Sequence, residues 1–143
     1  MSSEPSKIMF QKILCPIHQS REAHSAIKIV VEMVQKYQGE VILLAVTDTT
    51  VVDAAVVGEA VANDDVSLLL VEVQEILAQH NIKTEVLQRD GNPAFTICDV
   101  ADEFNADLIA MGSRGIGIDE EHATESVASR VINLSPCPVL VVP

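Results

Sequence analysis

The chain has 143 residues, 48% of them hydrophobic and only 3% aromatic, and a formal net charge of −12. That length suits one domain with a single sizeable core, built from Val, Ile, Leu and Ala as parallel strands under helices prefer. The charge argues against a nucleic-acid backbone or an anionic membrane as the main partner. No apolar run approaches the roughly 20 residues of a membrane span, and MSSEPSKIMF lacks a signal-peptide core, so the protein is expected in the cytoplasm.

Residues 1–7 have the composition of a disordered leader, and the domain is expected over 8–143. A first strand is expected over Ile8 to Ile17, most secure at Ile13 to Cys15, with Pro16 marking its exit because proline cannot donate to a ladder. Ser20 then caps a helix whose Ala23, Ala26, Ile27, Val30 and Val34 follow the 3.6-residue period and which Gly39 ends. VILLAV, Val41 to Val46, is a strand apolar on both faces. Thr47 to Asp65 is hard to assign, with a short helix placed around Ala54 to Val61. A clearer helix carries Val66, Leu69, Leu70, Val73, Ile76 and Leu77 on one stripe, and Lys83 to Leu87 forms a modest strand. Asn92-Pro93 starts the next helix, Asn as cap and Pro where no N–H is needed, with Ala94, Ile97, Cys98, Ala101 and Phe104 as its buried stripe. Pro138 to Val142 is the last strand.

Between these last elements lies the stretch that organises the chain, DLIAMGSRGIGIDEEHATESV from Asp107 to Val127. It runs from an apolar strand, Leu108 to Met111, through a loop with Gly112, Gly115 and Gly117. Thr124 and Ser126 then cap a helix carrying Val127, Ala128, Val131 and Leu134. Strand, glycine loop and helix aim backbone N–H groups and a positive helix end at an anion, usually phosphate. Yet Asp119, Glu120, Glu121 and Glu125 face a single Arg114 there. An anion cradle edged with carboxylates is a contradiction.

The alternation of strands and helices predicts a single α/β domain with a parallel sheet, right-handed crossovers and a ligand site beyond the strands' carboxyl ends. The loops after the first and fourth strands, at His18 and Gly112, are the candidates. Cys15, Cys98 and Cys137 form no C-x-x-C and fit buried, reduced thiols. His24 and His122 have no metal-ligand spacing with His18, so no metal site is expected.

KILCPIHQS, VILLAV, GNPA, DLIAMGSRG and ESVASRVINLSPCPVLVVP together resemble the universal stress proteins over nearly the whole chain. That resemblance implies a doubly wound, five-stranded parallel sheet of order 3-2-1-4-5 with helices on both faces. It also implies a homodimer joined through the last strand, here Val139, Leu140, Val141 and Val142. Many members bind ATP or AMP through G-x2-G-x9-G-S/T. Gly112 and Gly115 fill the first two places here; Glu125 stands at the third, before a retained Ser126 and then Val127. Binders carry Asp after the first strand, where it holds the ribose; His18 stands there instead. Pro16, Val46 and Met111 match places lining the nucleoside pocket, and Arg114 is either a phosphate contact or a solvated loop cation.

Glu125 and His18 thus disrupt a site whose other members remain. The expectation is a non-enzymatic stress-response protein acting as a dimer through contacts with a protein partner the sequence does not name. Its nucleotide site would be degenerate and need no cofactor. The alternatives are a switch that still holds AMP or ATP, with slow hydrolysis, and a regulatory subunit of a transporter or kinase.

Overall fold

A computed structural model describes residues 10–17, 22–48, 68–112 and 127–143, with the side chains of 22–24 and 48 left aside. In chain order the elements are β1 (Lys12–Ile17), α1 (Glu22–Tyr37), β2 (Glu40–Asp48), a helix α2 described over 68–79, β3 (Lys83–Gly91), α3 (Pro93–Glu103), β4 (Leu108–Gly112), α4 (Val127–Leu134) and β5 (Val139–Val142). The strands form one sheet in the order β3-β2-β1-β4-β5, and every neighbouring pair is parallel.

Side chains alternate across a strand, so a strand apolar at every position must be covered on both faces. That is what β1 and β2 show. Ile13, Cys15 and Ile17 with Val41, Leu43 and Ala45 enter one layer, under Ile27, Val30 and Val34 of α1 and Leu70, Val73 and Leu77 of α2. Leu14 with Ile42 and Leu44 enters the other, under Ala94, Ile97, Cys98, Val100 and Ala101 of α3 and Ala128 and Val131 of α4. Val100 also belongs to the α3 stripe, while Phe104 caps that helix half-buried. Leu134, expected on the buried stripe of α4, is 46% exposed because α4 turns only Ala128 and Val131 fully inward.

Three boundaries differ from expectation. β1 begins at Lys12, since Phe10 takes a left-handed turn (φ 61°) and lays its ring edge-on to Tyr37 at 5.6 Å. β3 runs on to Gly91 because pairing with β2 continues to Asp48↔Gly91. At the end of α1 the left-handed residue is Gln38 (φ 56°), not Gly39. Gly39 is needed for space, because a Cβ there would lie 2.4 Å from the Gln11 carbonyl oxygen. The start of α3 is as expected, with Pro93 in the first turn and the Asn92 side chain accepting from the Phe95 N–H at 3.2 Å. Expectations for residues 1–9, Ser20, Thr49 to Asp65, Val66, Thr124 and Ser126 fall outside the described residues.

Candidate functional site at the carboxyl edge

The chain leaves β1 and winds to β2 and β3 on one side, then returns to β4 and β5 on the other. The winding direction therefore reverses between β1 and β4, where doubly wound sheets leave a crevice. The two strands are neighbours, with Ile13↔Leu108 and Leu14↔Ile109 in register. The ladder between them ends at the second pair, and counting on along each strand Pro16 corresponds to Met111 and Ile17 to Gly112. On the other side Pro16 and Ile17 pair with Leu44 and Ala45, so Val46 lies one step beyond.

The candidate residues that are described converge. Met111 is buried, and Val46 and Val127 are half-buried in the same apolar layer, below α3 and α4. Pro16 is buried and shares the parity of Leu14, which places it on that face. Gly112 is half-buried at the end of β4. Together they make an apolar floor at the carboxyl ends of β1, β2 and β4 and the start of α4. His18, Arg114, Gly115, Glu125 and Ser126 lie outside the described residues, as do the carboxylates 119–121. Among the described residues no group of His, Cys, Asp and Glu could hold a metal ion, and no helix is long and apolar enough to cross a membrane.

A concavity of about 900 Å³ lies at the opposite, amino edge of the sheet, lined by Lys12, Glu40, His80 and Lys83 among others. Its lysines already have partners: Glu40 sits 3.9 Å from Lys12 Nζ and 3.7 Å from Lys83 Nζ. It is far from the strand ends where the loops leave, so it is a different feature from the crevice. Sequence reasoning gave Asp107 and Arg89 no role. Arg89 of β3 donates to both carboxylate oxygens of Glu103 at the end of α3, at 3.2 Å each, and this bonding holds the Glu103 carboxyl below its usual value. The signal for Asp107 was its place, an acid immediately before an apolar strand.

Cys15 lies beside this floor but faces the other layer, fully buried. Burial pushes its thiol from 9.0 up to about 12. The folded state therefore keeps a proton that the unfolded chain loses from about pH 9 upward. Stability from this group is complete below pH 9 and declines as the pH climbs toward 12, by about 1.4 kcal/mol per unit. Urea unfolding at pH 8 and pH 10.5 should show wild type losing roughly 2 kcal/mol more than Cys15→Ala over that interval. Equal losses would show that Cys15 does not govern the alkaline limb.

Residues 9–143 match the model of the universal stress protein family. The chain belongs to that family. It is similar to universal stress protein Sll1654 of Synechocystis sp., 47% identical over 137 residues that cover 95% of this chain and 87% of that protein. Among solved structures, hypothetical protein MJ0577 is 30% identical with a TM-score of 0.80, covering 94% of this chain and 96% of the other. A universal stress protein of Archaeoglobus fulgidus in complex with dAMP has a TM-score of 0.68 at 18% identity, over 96% of this chain and all of that one, and shows the fold alone. The sheet order expected of the family is the order observed.

Proposed function

We propose that this universal stress protein is a non-enzymatic, dimeric stress-response protein whose carboxyl-edge crevice keeps the nucleoside end of a nucleotide site and has lost much of the phosphate end. The observation that carries this is the shared floor of Pro16, Val46 and Met111 at the ends of β1, β2 and β4, set against the acidic residues Asp119, Glu120, Glu121 and Glu125 that follow in the sequence. A protein of this fold solved with dAMP is consistent with a nucleoside monophosphate as the ligand class proposed for this chain. In the sequence Glu125 stands at the third glycine of the family's phosphate motif, and a side chain at that motif position would add bulk and charge toward a bound phosphate. One carboxylate about 6 Å from a phosphate charge costs roughly 1 kcal/mol at an effective dielectric between those of a protein surface and water. That penalty grows with each added phosphate, so ATP suffers more than AMP.

A second reading, a switch that holds AMP or ATP with slow hydrolysis, draws on the same intact floor. Mass spectrometry of protein denatured directly after purification separates the two. Protein free of nucleotide supports the degenerate site, and stoichiometric AMP or ATP supports the switch. A role as a regulatory subunit of a transporter or kinase would instead appear as a stable partner in pull-downs.

The dimer rests on the contrast between the sheet's two edges. β3 carries Lys83, Glu85, Arg89 and Asp90, charges that discourage pairing with another chain. β5 reads VLVV, and its Val139, Leu140 and Val141 are only half-buried within the monomer. An uncharged apolar edge of this kind favours pairing with a second copy. Light scattering should give a dimer mass at micromolar concentration, and Val141→Lys should shift it to the monomer. A monomeric wild type would reject the interface.

A further inference from the structure

The amino edge of the sheet carries a row of charges that alternate in sign. Lys83 of β3, Glu40 of β2 and Lys12 of β1 are register partners. The Glu40 carboxylate lies 3.7 Å from Lys83 Nζ and 3.9 Å from Lys12 Nζ. On the β4 side Asp107 completes the row. Its Oδ2 accepts from the backbone N–H groups of Gln11 at 3.1 Å and Lys12 at 3.0 Å, and its own N–H donates to the Lys12 carbonyl at 2.7 Å. Lys12 Nζ also donates to the Phe104 carbonyl at 3.2 Å.

Such a row matters because this sheet is buried on both faces. In a half-exposed sheet a one-residue slip moves the apolar set into water, so the pattern itself enforces register. Here a slipped VILLAV would put one apolar residue in place of another. Hydrophobic burial therefore discriminates weakly between registers of the central strands, and the polar ends must do it. Ion pairs open to water contribute little. A carboxylate accepting two backbone N–H groups is a stronger and more directional contact.

We propose that Asp107 is a positioning residue for the crevice. By clamping the start of β1 against β4 it sets the register of the two strands at the switch point. The two strands pair at Ile13↔Leu108 and Leu14↔Ile109, and that register sets where Pro16 and Ile17 stand relative to Met111 and Gly112, about 13–17 Å along the strands from Lys12. The proposal rests on the carboxyl edge being the site, but its test needs no nucleotide, so either can fail while the other stands.

The test uses proton–nitrogen NMR and amide exchange on the full chain without ligand. Asp107→Glu keeps the charge but moves the carboxylate outward. It should leave the chain folded, shift the Met111 and Gly112 amide resonances, and raise their exchange rates at least tenfold, with Leu43 of β2 within twofold of wild type. Asp107→Asn retains an acceptor oxygen and should restore Met111 and Gly112 to within threefold of wild type. A uniform rise at Leu43, Met111 and Gly112 in Asp107→Glu would mean lost stability without positioning and would overturn the proposal. Unchanged values at Met111 and Gly112 in that variant, or failure of Asp107→Asn to restore them, would overturn it equally.

Discussion

Replacing Leu43 with alanine should lower the unfolding free energy by roughly 2–5 kcal/mol, read as a reduced urea midpoint at fixed protomer concentration with an unchanged slope. Leu43 is fully buried at the centre of β2, in the layer beneath α1 and α2. It is held between β1, where it pairs with Cys15, and β3, where it pairs with Val86. Two ladders and two helices surround the site, so the backbone has little freedom to collapse into the space left by the lost methyl groups. The upper part of the range is therefore expected. A domain of this size is stable by only about 5–15 kcal/mol, so the loss is a large share. Phe95→Ala is the control: its ring is 56% exposed on α3, and its removal should cost far less. Equal losses at the two positions would mean that the core is not the doubly covered sheet described above.

Much of that core was legible because continuous apolar strands have few alternatives once helices alternate with them. VILLAV admits no half-exposed strand, and Asn92-Pro93 admits few local structures besides a helix start. The strand order was not legible from periodicity, which does not say which strands neighbour one another; it came with the family resemblance. Boundaries were missed where tertiary contacts set them. Phe10 turns away from β1 to meet Tyr37, and β3 extends because β2 runs beside it. Gly39 was read as a helix terminator, but Gln38 takes the left-handed turn and Gly39 answers to the Gln11 carbonyl. At the candidate site the apolar members were legible as strand ends, whereas the role of Asp107 was not, because its partners are backbone N–H groups some 95 residues away and only its place before an apolar strand hinted at it.

The second large effect is expected in the phosphate half of the crevice. The double replacement His18→Asp with Glu125→Gly should raise ATP affinity more than tenfold, which corresponds to over ~1.4 kcal/mol. In the proposed site, Asp at 18 would supply an acceptor for ribose hydroxyls, and Gly at 125 would remove a charge and let phosphate approach the backbone. The gain for ATP stays incomplete because Asp119, Glu120 and Glu121 still repel a triphosphate. AMP, with less charge, should gain more than ATP from His18→Asp alone. Titration of the three variants with both nucleotides measures this. A double variant that binds ATP no better than wild type would show that the remainder of the loop closes the site.

The unmodified chain provides the most direct test of the altered cradle: titration calorimetry with ATP and AMP, with and without magnesium. The expected result is ATP binding too weak to saturate at millimolar concentration, with AMP the tighter of the two. Saturable ATP binding with a micromolar Kd, equivalent to about −8 kcal/mol, would contradict the degenerate phosphate end outright.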